Sequence, residues 1–151
     1  MIYTPLTKKA LRLCFDAHRD QTDKTGLPYV FHPFHLAEQM KDEISTVCAL
    51  LHDVVEDTDY TLEDLGAMGF PEEVLEVLRL LTHDPCEPYM DYVERLSHHP
   101  VARQVKLADL RHNSDLTRMD ESEIDEWAIA RTKKYKKAMR LLRSKKPDNT
   151  K

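Results

Sequence analysis

The chain has 151 residues, 41% apolar and 32% charged, and its 22 basic and 27 acidic side chains give a net charge of −5. That length matches one ordinary domain able to bury a core without disulfide or metal staples, and the acidic balance argues against a nucleic-acid binder. The longest apolar run, Val47 to Leu51, has five residues, far short of the roughly 20 that a membrane span needs.

Apolar residues recur at helical spacing and strict alternation nowhere persists. Leu6, Ala10, Leu13 and Ala17 predict a first helix. A loop with Gly26 and Pro28 follows, and Pro33 is placed to open a second helix, Phe34 to Lys41. Ile44 to Val55 reads as one buried third helix around Val47, Leu50, Leu51 and Val54. Thr61 and Asp64 form a capping-box pattern before a short helix that Gly66 and Gly69 close. Pro71, Pro88 and Pro100 each stand at the start of a further helix, the last carrying Val101, Val105, Ala108 and Leu116. Ser122 is expected to cap the final helix, with Ile124, Trp127, Ile129 and Leu141 as its apolar contacts. The basic run from Arg131 to Arg140 reads as a solvated helix face. The expected fold is all-α, about eight helices in one domain over 1–151, with a disordered tail from about 145.

Several chemistries are excluded by inspection. With only Gly26, Gly66 and Gly69, there is neither GxGxxG nor GxxxxGK[ST], so phosphate must be held by side chains, helix N-termini or a metal. Cys14, Cys48 and Cys86 have no C-x-x-C spacing and read as buried thiols in a reducing compartment. The N-terminus lacks a signal peptide's apolar stretch, so the expected location is cytoplasmic.

Eight histidines direct attention to metal chemistry. His52, Asp53, Glu56 and Asp57 fall at helical spacings that crowd one face. Burying those acids uncompensated is costly, and a cation is the simplest remedy. His32 precedes Pro33, and Asp109 stands in an apolar stretch with Lys106 at i−3 and Asn113 at i+4. Taken singly, His52-Asp53 is also compatible with a surface dipeptide, His32 with a loop hydrogen bond, and Asp109 with an ion pair to Lys106.

Together these residues resemble the H…HD…D pattern of HD-domain metal-dependent phosphohydrolases. The segments His18-Arg-Asp-Gln21, Gly26-Leu-Pro-Tyr29, His32-Pro33, Leu50 to Thr58 and Lys106-Leu-Ala-Asp109 resemble the hydrolase domain of RelA/SpoT-type enzymes, which remove the 3′-diphosphate of (p)ppGpp. The likeness extends to the stand-alone small alarmone hydrolases, the group of the metazoan SpoT homologue. It implies an HD-domain helical bundle and four metal ligands, His32, His52, Asp53 and Asp109. Two nitrogens and two carboxylates suit a borderline to hard octahedral ion; the family usually uses Mn²⁺, and zinc or iron also match these ligand types. The likeness further implies that Glu56 and Asp57 orient and deprotonate the attacking water, that Asn113 contacts ribose, and that Lys24, Thr25 and Tyr29 bind substrate. The implied partner is a small nucleotide; neither nucleic acid nor membrane is expected, and the oligomeric state stays open.

Two departures bear on the substrate. Asp23 stands where long alarmone enzymes carry Arg, and His83 follows Thr82 where Lys is common. The expected activity is hydrolysis of (p)ppGpp to GDP or GTP and pyrophosphate. The alternatives are an HD phosphohydrolase acting on (p)ppApp or NADPH, and a non-catalytic nucleotide-binding module.

Overall fold

A computed structural model describes residues 1–145; the expected tail lies, past its first residue, outside the described residues. Lys145 itself is anchored, its Nζ 2.7 Å from Glu94 Oε1 and its carbonyl accepting from Arg103 Nη1 at 2.5 Å.

Thr4 opens α1 (Pro5–Ala17) through a reciprocal box with Thr7, and Pro5 occupies the first turn, where its missing N–H costs nothing. Helix α2 is Phe31–Glu38, three residues earlier than expected at both ends. Pro33 is its third residue rather than its opener, because every N–H of the first turn lacks an intrahelical partner. The Asp42 side chain accepts from Ser45 N at 2.8 Å and starts α3 (Glu43–Leu51), whose residues from Ser45 to Leu51 are all buried.

The expected single helix from Ile44 to Val55 is instead two. Asp53 leaves helical geometry at φ −105°, ψ 0°, and a short α4 (Val54–Asp57) follows. His52 Nδ1 donates to Ala49 O at 2.7 Å, the carbonyl that the next rung of a continuous helix would use. The histidine side chain thus competes with the ladder at the bend.

Thr61 and Asp64 form the expected box at the start of α5 (Leu62–Ala67). Gly66 lies inside that helix, and Gly69, at φ +93°, is the glycine that ends it. Pro71 and Pro88 precede α6 (Glu72–Leu81) and α7 (Tyr89–Ser97), and Pro100 begins α8 (Pro100–Asn113). Leu116 falls beyond α8, in a 3₁₀ turn over Leu116–Arg118. Ser122 caps nothing; it sits in a second turn, Glu121–Glu123, and Asp125 caps α9 (Glu126–Ser144) by accepting from Ala128 N at 2.8 Å. Trp127 and Ile129 are 82% and 45% exposed, so the inward stripe of α9 is Ala128, Thr132, Ala138, Met139 and Leu142.

Helix α3 is the axis, packed against α1, α2, α6 and α8. The buried side chains form one cluster. Among the described residues there is no strand, only an isolated bridge between Thr22 and Pro28. No helix among them is long and apolar enough to cross a membrane.

Candidate metal centre and active site

Three elements deliver the histidines and acids to one place. The first turn of α2 brings His32, the bend after α3 brings His52 and Asp53, and the third turn of α8 brings Asp109. His32, His52 and Asp109 are buried, with ligand atoms within 4.8 Å of one another, and Asp53, Glu56 and Asp57 form an adjoining triad at the same spacing. His52 Nε2 joins the two groups, 2.9 Å from Asp53 Oδ2 and 3.7 Å from Asp109 Oδ1. His32 Nε2 lies 3.0 Å from Asp109 Oδ1. All four expected ligands therefore converge.

The fit to a cation can be judged from the atoms themselves. Because His52 Nδ1 donates to a carbonyl, Nε2 is the ring nitrogen left to face the centre, buried and directed at the Asp53 and Asp109 carboxylates. In the neutral ring it carries the lone pair an ion would use. Burial opposes charging this ring, yet the Asp53 and Asp109 carboxylates raise its pKa well above the ordinary imidazole value. Burial alone would also raise Asp53, but the His52 charge and hydrogen bonds from His52 and Tyr29 bring it to about 2. The site is short of positive charge, and two imidazoles with two carboxylates suit a divalent ion.

Asp109 is fixed from both sides. Lys106 Nζ donates to Oδ2 at 2.8 Å and Asn113 Nδ2 to Oδ1 at 2.8 Å. The ion pair to Lys106 that the sequence offered as an alternative is thus present alongside the convergence with histidine. Burial notwithstanding, the Lys106 charge and the His32 bond hold the Asp109 carboxyl well below the usual range. Tyr29 Oη donates to Asp53 Oδ2.

Glu56 and Asp57 project from α4 beside this cluster. Glu56 Oε1 accepts from His83 N at 2.8 Å, and Gln21 Nε2 donates to Asp57 O at 2.9 Å. Burial, then the Asp53 and Glu56 charges, push Asp57 up to about 6, and burial with Asp53 also raises Glu56. The His83 contact is made by backbone, so a histidine in place of lysine leaves it intact.

A cleft of 430 Å³ opens over these groups, and its wall includes Lys24, Thr25, Tyr29 and Asn113 as expected. Thr25 and Asn113 are already engaged: Thr25 Oγ1 donates to Asp23 Oδ1 at 2.7 Å, and the Asn113 amide serves Asp109. The departure at Asp23 is built into the loop. Its Oδ1 also accepts from Thr25 N and Leu27 N at 2.8 and 3.0 Å, and Oδ2 pairs with Arg118 Nη2 at 3.1 Å. Gly26 turns at φ +84°, open to glycine without strain.

The cleft also holds residues that sequence reasoning missed, notably Arg118, Arg131 and Tyr135. Arg131 and Tyr135 are one turn apart on α9 and flank the buried Thr132. The available signal was that spacing along the edge of an inward stripe, hidden within a run that reads as solvated. Burial, then the Arg131 charge, lowers the pKa of Lys24. Phosphate is the ligand class such neighbouring cations suit.

No family model matches the chain. It is 32% identical over 148 aligned residues to the guanosine-3′,5′-bis(diphosphate) 3′-pyrophosphohydrolase MESH1 of Danio rerio, covering 87% of this chain and 79% of the relative. It is 34% identical over 132 residues to the MESH1 protein of Homo sapiens, covering 78% and 72%. A solved structure of a metazoan ortholog of SpoT, one that hydrolyses ppGpp and plays a role in starvation responses, superposes with a TM-score of 0.74 at 26% identity. It covers 95% of this chain and 89% of that one.

Proposed function

The chain belongs to the MESH1-type family of guanosine-3′,5′-bis(diphosphate) 3′-pyrophosphohydrolases, and from that membership we infer that it hydrolyses the 3′-diphosphate of an alarmone nucleotide. The reaction takes (p)ppGpp to GDP or GTP and pyrophosphate. The observation that carries this reading is the convergence of the buried His32, His52 and Asp109 with Asp53, which lies 2.9 Å from His52 Nε2, and with Glu56 and Asp57 alongside in the cleft.

His32, His52, Asp53 and Asp109 would hold a divalent ion, for which Mn²⁺ is our assignment. Such an ion supplies Lewis acidity and acidifies water. The protein's own groups do the rest. Water attacks the phosphorus bonded to the ribose 3′ oxygen, and Glu56 or Asp57 takes its proton. The bond from phosphorus to the 3′ oxygen breaks, and that oxygen leaves with the electron pair and gains a proton. Glu56 is held for this by the His83 N–H, and Asp57 is basic enough near neutrality, at about 6. Lys106, and the Lys24 and Arg131 cations in the cleft wall, offset phosphate charge. Tyr29 and Asn113 orient the acids and line the nucleotide's path, and Thr25 keeps the Lys24 loop in shape.

Incubation with Mn²⁺ and ppGpp is expected to give GDP and pyrophosphate in equal amounts. Orthophosphate release would replace this reaction with another nucleotide phosphatase chemistry, NADPH being one substrate to try. Cleavage of ppApp beside intact ppGpp would change the base and keep the mechanism. Nucleotide binding without turnover across several metals would make the protein a binding module.

A further inference from the structure

His32 has two ring nitrogens, and the proposed metal role uses only Nε2. The other, Nδ1, lies 2.6 Å from Nδ1 of His112. The two ring planes are 13° apart and the centroids 4.9 Å apart. That separation is what the 2.6 Å gap plus two ring radii makes, so the rings meet edge to edge in nearly one plane. Their nitrogens point at each other, the arrangement of an N–H···N hydrogen bond. Only one proton fits between them. When His32 Nε2, which lies 3.0 Å from Asp109 Oδ1, turns its lone pair to a bound ion, the ring proton is on Nδ1 and His112 accepts it.

The acceptor is itself held in place. Arg118 Nη1 donates to the His112 carbonyl at 2.9 Å, and the His35 ring packs over the His112 ring at a centroid distance of 4.3 Å. The other histidine of the centre has an equivalent partner, since His52 Nδ1 donates to Ala49 O. Asp109 has two, Lys106 and Asn113. Without His112, His32 alone would lack a group to fix its tautomer.

We propose that His112 is a positioning residue that accepts the His32 Nδ1–H and so fixes His32 Nε2 as a metal-directed donor, setting the affinity of the site for its divalent ion. This rests on the assignment of His32 as a ligand in the proposed function. Metal-ligating histidines commonly donate their second N–H to such a partner, and losing it typically weakens metal binding roughly 10–100-fold.

The test is Mn²⁺ affinity measured without substrate, by the electron paramagnetic resonance of the free ion, on wild type, His112→Phe and His112→Gln. Phe keeps a ring against His35 and removes the acceptor; Gln restores an acceptor oxygen. The expected result is a loss of roughly 10–100-fold in Phe, partly recovered in Gln, with helical circular dichroism of the metal-free variants unchanged. A folded His112→Phe that binds Mn²⁺ as tightly as wild type overturns the inference, as does an equal loss in both variants. A wild type that holds no Mn²⁺ removes the ligand assignment and this inference together. In ¹⁵N spectra of the Zn²⁺-loaded wild type, a measurement independent of any variant's folding, His32 should carry its proton on Nδ1 and His112 on Nε2. A proton on His112 Nδ1 overturns the inference.

Discussion

At Glu56, position and basicity act together. The His83 N–H holds one carboxylate oxygen, while burial and the Asp53 charge raise the group's proton affinity. Glu56→Ala is therefore expected to lower turnover by about 10²- to 10⁴-fold, the span of general-base catalysis, with Mn²⁺ still bound. Steady-state kinetics beside metal titration checks both halves, and turnover near wild type would remove Glu56 from the reaction. Spacing alone placed His52, Asp53, Glu56 and Asp57 on one face, while His32 and Asp109 joined them only through the resemblance to HD-domain phosphohydrolases. The His83 contact was not legible in the sequence, since a backbone N–H belongs to every residue except proline and has no signature. His112 was passed over because its partner, His32, is far away in sequence.

At the scale of elements, the Asp23 loop and the α3–α4 bend carry the predictions. Burial would raise the Asp23 carboxyl, but bonds from Thr25 and Leu27 and the Arg118 charge bring it below its ordinary value. Its stabilising effect is therefore complete above the unfolded carboxyl's pKa of about 3.9 and is lost as pH falls through the lower folded value. Asp23→Ala should cost about 1–2 kcal/mol at neutral pH, a modest figure because solvent screens the pair. The gap to wild type in urea denaturation should narrow as the solution is acidified below the unfolded value. Leu50 is wholly buried in α3, and Leu50→Ala should cost about 2–5 kcal/mol in the same measurement. Most helices were legible because prolines and capping residues mark their starts, as at Thr61 and Pro71. The bend at Asp53 was not, because Val47, Leu50, Leu51 and Val54 keep helical spacing across it, and the His52 side-chain bond to Ala49 O that accompanies the break has no sequence signature. Ser122 and Asp125 are both cap-forming residue types three positions apart, and it is Asp125 that accepts from the N–H of the buried Ala128, while Ser122 is taken up in the preceding 3₁₀ turn.

Across the whole molecule, the centre ties α2, α3 and α8 together at one point. An ion that binds only the folded chain adds stability by mass action, about 2.7 kcal/mol at a hundredfold excess over its dissociation constant. For a chain of this size that is a rise in melting temperature of roughly 5–10 °C. Melting followed by circular dichroism, with chelator and then with Mn²⁺, should show that rise together with loss and return of activity; no shift would mean that the acids and histidines do not share an ion. The all-α class was legible from periodicity alone, whereas the cleft is made by α9 returning over the centre, a long-range placement that local pattern does not encode. One feature of α9 also governs how such experiments are done. Trp127 is the sole tryptophan and stands 82% exposed in the folded chain. Its indole is already in water, so its fluorescence colour hardly changes when the chain unravels and makes a poor melting signal. It lies one turn from Arg131 in the cleft wall, so a change in the same emission on adding nucleotide would test whether the proposed substrate reaches that rim.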